Sequence, residues 1–310
     1  MQNLQLMGVF VAVFLAAQPV LAQDIGVLWR GKSGTATKTF NAFQERLSEI
    51  APEFQLEVKS ALPDVDAYKS VYERYQGEKA AIVSIRSNGK RFIATNKPRI
   101  PTVVGGGNNP QRLGAVESLI APTGMVTGTS IALPTDVRFE IISALFPDAS
   151  NILVIGEYGH PSTDIDVEEI PPACEALFLT CTVQVAATPE AVADVAKANI
   201  DGVDLVILNR SNQMQYAAKY VLDAVGDVPV AGSFRQNVEE GVLAALETRV
   251  DFLARTMADQ LVSIVRDNKP ISQIPVVFDR NPLIMLNVKG AAVKGITFPR
   301  AMLLVSETVE

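Results

Sequence analysis

The chain has 310 residues, 48% of them apolar, and carries 34 acids against 27 bases for a net charge of −7. That is enough apolar chain for one large folded domain or two ordinary ones, and the acidic balance argues against a general nucleic-acid binder, which needs a basic field over phosphates. One histidine, His160, and two cysteines, Cys174 and Cys181, exclude zinc sites built from several such ligands; no metal or cofactor is implied.

Residues 1–23 carry no charged side chain, and Leu6 to Ala17 is an unbroken apolar run, LMGVFVAVFLAA. It is too short to span a bilayer and suits the core of a signal peptide. Val20-Leu21-Ala22 supplies the small-residue cleavage site, so residues 1–22 read as a signal peptide. The expected product is periplasmic or otherwise exported, with no cysteine at the cleavage site to carry a lipid anchor. Export permits a disulfide between Cys174 and Cys181; two buried thiols are the alternative, and the spacing is not that of a C-x-x-C redox centre.

Ile25 to Trp29 reads as a buried strand. Phe40, Phe43, Leu47 and Ile50 then recur on one helical face. Phe54, Leu56 and Val58 alternate as a second strand, and Tyr68, Val71, Tyr72 and Tyr75 mark a helix whose aromatic stripe belongs in a core. Strands follow at Ala81 to Ile85 and Ile100 to Val104, ended by Gly105-Gly106-Gly107-Asn108-Asn109-Pro110. A second series begins near Thr135. It predicts a helix through Leu145, strands at Ile152 to Ile155, Val203 to Leu208 and Val228 to Ala231, intervening helices, and a long helix from Val250 to Arg266. Between Ser162 and Phe178 the pair Pro171-Pro172 predicts an irregular acidic segment and then a short helix from Pro172. Strands alternating with helices imply parallel sheets covered on both faces, and two such series imply two α/β lobes.

Gly105-Gly106-Gly107 and Gly31-Lys32-Ser33 fit neither a dinucleotide fingerprint nor a phosphate loop. His160, beside Pro161, reads as a surface loop residue rather than a base. The strand ends are more informative, because ligands of open α/β sheets bind beyond the carboxyl ends of the strands. Those ends offer Trp29 and Arg30; Arg86, Ser87 and Asn88; Asn108; Tyr158; Arg210, Ser211 and Asn212; and Ser233, Phe234 and Arg235. Four arginines at equivalent places suit a carboxylate or phosphate. Trp29, Tyr158 and Phe234 offer apolar walls, and the serines and asparagines offer polar contacts.

The stretch Ala121-Pro122-Thr123-Gly124-Met125-Val126-Thr127-Gly128-Thr129-Ser130, followed by Phe139-Glu140 and Leu145-Phe146-Pro147-Asp148-Ala149, resembles a pattern of the substrate-binding proteins of one group of ABC transporters, whose relatives include tryptophan- and tyrosine-binding members. Similar matches occur at Ile25-Gly26-Val27-Leu28, Ile100 to Val104, Gly202-Val203-Asp204, Val228-Pro229-Val230, Gly241 to Leu246, and from Asn287 to Pro299. The resemblance implies the periplasmic binding protein type I fold: two doubly wound parallel-sheet lobes joined by a three-crossover hinge. Lobe 1 would span 23–131 plus 250–274, and lobe 2 would span 132–249 plus 275–310. The crossings would fall near Ser130 to Pro134, just before Val250, and near Ile274 to Val277. It further implies a monomer, not an enzyme, that captures a small molecule between its lobes and delivers it to an ABC permease.

The chain departs from that pattern where an acid would meet an α-ammonium group. Ser211 stands at one such position, Ala231-Gly232-Ser233-Phe234 lacks the other acid, and Asn108-Asn109-Pro110 replaces a third site. An ammonium buried without a counter-charge is costly. The expected ligand is therefore small and anionic or strongly polar, clamped by Arg86, Arg210 or Arg235. The rival readings are a periplasmic sensor docking on a membrane receptor, an aromatic amino-acid binder, and an α/β enzyme.

Overall fold

A computed structural model describes residues 23–309; the expected signal peptide lies outside the described residues. The first lobe runs β1 (Gln23–Arg30), α1 (Gly34–Ile50), β2 (Phe54–Leu62), α2 (Val65–Glu78), β3 (Ala81–Ile85), α3 (Ser87–Thr95), β4 (Thr102–Gly105) and β5 (Val126–Ser130). The second runs α4 (Thr135–Leu145), β6 (Asn151–Glu157), α5 (Pro161–Glu175), β7 (Thr180–Ala186), α6 (Val192–Asn199), β8 (Leu205–Leu208), α7 (Ala218–Val225), β9 (Val230–Gly232), α8 (Arg235–Glu239) and β10 (Ala244–Glu247). The chain then returns to the first lobe with α9 (Val250–Val265) and β11 (Val277–Phe278). It ends in the second with β12 (Leu283–Leu286), α10 (Val288–Val293), α11 (Arg300–Leu303) and β13 (Glu307–Thr308).

The sheets are ordered β11-β5-β4-β3-β1-β2 and β13-β12-β10-β9-β8-β6-β7. Pairing is parallel throughout except between β10 and β12. Each sheet reverses its winding once, between β1 and β3 and between β6 and β8, which opens a crevice at the carboxyl ends there. Alternation along β1 sets the layers: Ile25, Val27 and Trp29 pack with Phe43 and Leu47 of α1 and with α9, while Leu28 faces the α2 tyrosines Tyr68, Tyr72 and Tyr75. Gly26 is required in that strand, because a Cβ there would sit 2.2 Å from the Tyr75 ring.

Three segments cross between the lobes, at 131–134, 248–249 and 279–282. The third differs from the expected Ile274 to Val277, because Val277 and Phe278 pair with Thr129 and Ser130 and so belong to the first sheet. The region 162–178 is also corrected. It is not irregular: α5 continues through Pro171 and Pro172. Pro161 at its first position is favourable. The two internal prolines take the donors from the carbonyls of Val167 and Glu168, both exposed residues, where losing them costs least.

Cys174, in the last turn of α5, and Cys181, in β7, form a disulfide with Cα atoms 6.0 Å apart, inside the second-lobe core. Closing so short a loop removes little denatured-state entropy, so the double variant C174S/C181S is expected to lose about 2–3 kcal/mol of stability. Urea unfolding with and without reductant measures it; equal midpoints for oxidised and reduced wild type would contradict the assignment.

Candidate functional site

The two crevices face each other, and between them lies a cavity of about 290 Å³ lined by both lobes and by the first crossing, near the lower bound of small-molecule sites. It gathers eight of the residues singled out in the sequence: Arg86, Ser87, Asn88 and Asn108 from the first lobe, and Arg210, Asn212, Ser233 and Phe234 from the second.

Arg86 ends β3 at φ 84° and ψ 159°, a region that side-chain-bearing residues adopt at a cost of order 1–3 kcal/mol. Its backbone N–H donates to the Gly105 carbonyl at 2.9 Å and its Nη1 to the Arg30 carbonyl at 2.7 Å. Burial, and then the Arg30 charge, lower its pKa. Ser87 Oγ accepts from the Asn108 N–H at 2.9 Å. The loop at Gly107 passes so close to α3 that a Cβ would lie 2.4 Å from the Ser87 nitrogen.

Beneath this loop Lys90 is fully buried. Its Nζ donates to the carbonyls of Gly107 at 2.8 Å, Asn108 at 2.6 Å and Thr129 at 2.8 Å. Burial pulls its pKa well below the ordinary lysine value, whereas three carbonyls meeting three N–H donors favour the charged form.

In the second lobe, Arg210 donates through Nη1 to the Ser233 carbonyl at 3.2 Å and lies over the Phe234 ring, 5.3 Å from its centroid. Burial lowers its pKa, opposed by Glu247 and Asp279. From the neighbouring Asn209 runs a buried polar chain. Arg138 Nη2 donates to Asp166 Oδ1 at 2.7 Å, Asn209 Nδ2 donates to Asp166 Oδ2 at 2.9 Å, and Ser211 Oγ donates to Asn209 Oδ1 at 2.5 Å.

Five other sequence candidates do not line the cavity. Trp29 sits 5.6 Å from Phe40 in the first-lobe core, on the face of β1 that alternation turns toward α1. Arg30 contributes its carbonyl, which holds Arg86 and, at 3.4 Å, Asn88. Tyr158 projects into solvent, 74% exposed. Ser211 is buried and committed to Asn209 and to the Glu157 N–H. Arg235 is exposed and pairs with Glu307.

Sequence reasoning missed Ser33 and Thr35 at the start of α1, together with Arg138, His160, Ser162, Asp166 and Glu169. Ser33 was findable: it caps α1, accepting from the Ala36 N–H at 3.2 Å, directly after a strand end. The α5 residues were hidden by the two prolines. His160 is not a free surface residue either. It lines the cavity and caps α5, its Nδ1 accepting from the Ser162 N–H at 3.1 Å, so the proton of the neutral ring is on Nε2.

The charge balance of the cavity follows from these contacts. Its two acids are occupied, Asp166 by Arg138 and Asn209, and Glu169 by Thr135 at 2.9 Å and Arg112 at 3.3 Å. Among the described residues, Arg86 and Arg210 hydrogen-bond to backbone carbonyls and to no carboxylate.

Burial lowers the His160 pKa, with Glu157 and Asp164 acting the other way. The unfolded chain therefore takes up a proton before the folded one does. Stability is retained above the ordinary histidine value of about 6.5 and is lost as pH falls through it toward the lower folded value. As this is the chain's one histidine, a proton NMR titration of untagged protein reads it directly. A midpoint below about 6.5 is expected, and H160N, which keeps a capping acceptor, should flatten the acid slope of the melting temperature.

A sequence profile of the family described as ABC transporter substrate binding protein matches residues 33–310. A tyrosine-binding protein of Clostridioides difficile (strain R20291) is 21% identical over 249 residues, 79% of this chain and 72% of that one. Among solved structures, an ABC domain in complex with L-Trp from Streptococcus pneumonia superposes with a TM-score of 0.73 at 20% identity, over 93% of this chain and 99% of that one. A ligand-free, open substrate-binding protein with adhesive properties from Clostridium difficile gives 0.77 at 18% identity, over 93% and 99%. A myo-inositol-bound solute-binding protein of Bacillus halodurans gives 0.58 at 17% identity, over 83% and 91%.

Proposed function

The chain belongs to the ABC transporter substrate-binding proteins, a family of solute binders rather than enzymes, and we propose that its solute is a small anion, or a strongly polar molecule, held between Arg86 and Arg210 and passed to an ABC permease. The observation that carries this reading is the pair of guanidinium groups, one from each lobe, that share a cavity with no carboxylate left to receive them. An anion between them draws charge-assisted hydrogen bonds from both lobes, strengthened as closure excludes water. Ligand binding and lobe closure are then one event.

The strained backbone of Arg86 supports the same role, since strain persists where the surrounding structure enforces it and clusters at binding sites. Phe234 and the residues of the first crossing give the ligand an apolar wall. An α-amino acid fits less well, because both acids of the cavity are already occupied. Relatives at about 20% identity that bind tyrosine or L-Trp therefore share the fold and the capture mechanism without fixing this ligand. In this reading the mature protein works as an exported monomer after removal of residues 1–22.

Thermal unfolding of residues 23–310, stripped of co-purified ligand, against carboxylates, phosphonates, sugar phosphates, polyols and amino acids tests the proposal. A ligand at about a thousand times its Kd stabilises by roughly 4 kcal/mol. Shifts are expected with anions. R86M and R210M should each weaken binding about 10- to 100-fold, the worth of a charge-assisted hydrogen bond, while R235M leaves it unchanged. R86G removes the strain together with the clamp, so it should lose binding with an unliganded melting temperature equal to or above that of wild type. A shift with tryptophan or tyrosine alone, insensitive to both arginines, would overturn the reading.

A further inference from the structure

The two lips of the cleft carry opposite charge. On the second lobe, the first nine residues of α5 include Ser162, Asp164, Asp166, Glu168 and Glu169. Asp166 turns back into its own lobe, to Arg138. The other four reach across to the first lobe. Ser162 Oγ accepts from Asn108 Nδ2 at 2.8 Å, Asp164 lies 3.6 Å from Arg91 Nη2, and Arg112 pairs with Glu168 and, through Nε at 3.3 Å, with Glu169. Arg91 stands on α3, and Asn108 and Arg112 stand in the segment that follows β4. All four contacts join the lobes outside the three crossing segments.

Each of these ion pairs is partly exposed, with side-chain exposures between 35% and 64%, and such a pair counts for little alone. Here they are not alone. One rigid helix carries all the acids and one lip carries both arginines, so forming the first pair places the others at high effective concentration. Every one of them breaks when the cleft opens.

We infer that α5 and the Arg91/Arg112 lip form an electrostatic latch that draws the lobes together before any ligand arrives. The unliganded protein then already populates a closed form, and ionic strength sets how much of it. Arg91, Arg112, Asp164 and Glu168 lie outside the cavity lining, while Asn108, Ser162 and Glu169 stand at its mouth, where the latch and the cavity meet. Its acids are those that the sequence places beside two prolines, on a helix whose continuity aligns them.

The latch can be read without a ligand. Spin labels on genetically encoded side chains at Ser60 and Ala187, both exposed and near the carboxyl ends of the edge strands β2 and β7, report the separation of the lobes by pulsed electron resonance. In unliganded protein at low salt, two distances are expected. The closed-to-open ratio should fall about tenfold in R91A/R112A, and similarly for wild type at about 0.5 M salt, where the screening length shrinks to a few ångströms. R112E should open the cleft, and the exchanged pair R112E/E168R should recover part of the closed population. Melting curves confirm that the exposed substitutions leave the fold intact. The inference is overturned by any one of three results: a wild type showing only the open distance at low salt, populations unchanged in R91A/R112A, or an exchanged pair no more closed than R112E.

Discussion

A buried ammonium without a carboxylate partner fixes the floor of the cleft. Lys90 is fully enclosed, and its three N–H donors end on three carbonyls, those of Gly107, Asn108 and Thr129. Burying a charge this way is tolerable only when every donor is met, and the carbonyls that meet it lie just past β4 and near the end of β5. The Gly107 carbonyl also accepts from the Ile131 N–H at 3.0 Å, at the start of the first crossing. One side chain therefore ties helix α3, the cavity loop and the entry to the hinge into a single unit. That unit presents Arg86 and Asn108 to the second lobe in a fixed geometry.

The chain is acidic, with a net charge of −7, yet its cleft is not. The difference arises from pairing rather than composition. Asp166 is taken by Arg138 and Asn209, Glu169 by Thr135 and Arg112, and Asp279 by Arg249. Arg86 and Arg210 hydrogen-bond to backbone carbonyls and to no carboxylate, and Arg210 also lies over the Phe234 ring, contacts that orient a guanidinium without neutralising it. Arg235 follows a strand end just as Arg210 does, but lies outside the cavity and meets Glu307 instead. Position at a strand end offers an arginine to the site; the acids within reach decide whether it stays available.

The alternation of strand and helix was legible because period-2 and period-3.6 patterns are local, and the order of the lobes was legible from motifs along the chain. The cavity was legible where a strand runs straight into a crevice, as at Arg86 to Asn88 and at Arg210. It was not legible where alternation alone decides which way a side chain turns. Trp29 has the chemistry of a binding wall, but it falls in phase with Ile25 and Val27 and goes to the core. Ser211 falls to the inside of its turn and is consumed by Asn209. The largest miss, α5, came from reading two prolines as a break. A proline pair costs a helix two donors without having to end it, and the residues whose carbonyls lose them here, Val167 and Glu168, are exposed. With that helix went His160, Ser162, Asp166 and Glu169, the second lobe's share of the cleft mouth.

The hinge determines how these parts move together. Its three crossing segments are stitched to one another: Thr248 Oγ1 donates to the Ile131 carbonyl at 2.7 Å, and Arg249 grips the fully buried Asp279, with Nη2 to Oδ1 at 2.7 Å and its backbone N–H to Oδ2 at 2.8 Å. The first crossing is thus bonded to the second and the second to the third. Strands joined in this way cannot bend independently, so opening is a rotation of one rigid lobe against the other. A rotation changes every contact across the cleft at once. The α5 contacts with Arg91 and Arg112 and the cavity between Arg86 and Arg210 lie across the same opening, so a stitched hinge ties both to one coordinate.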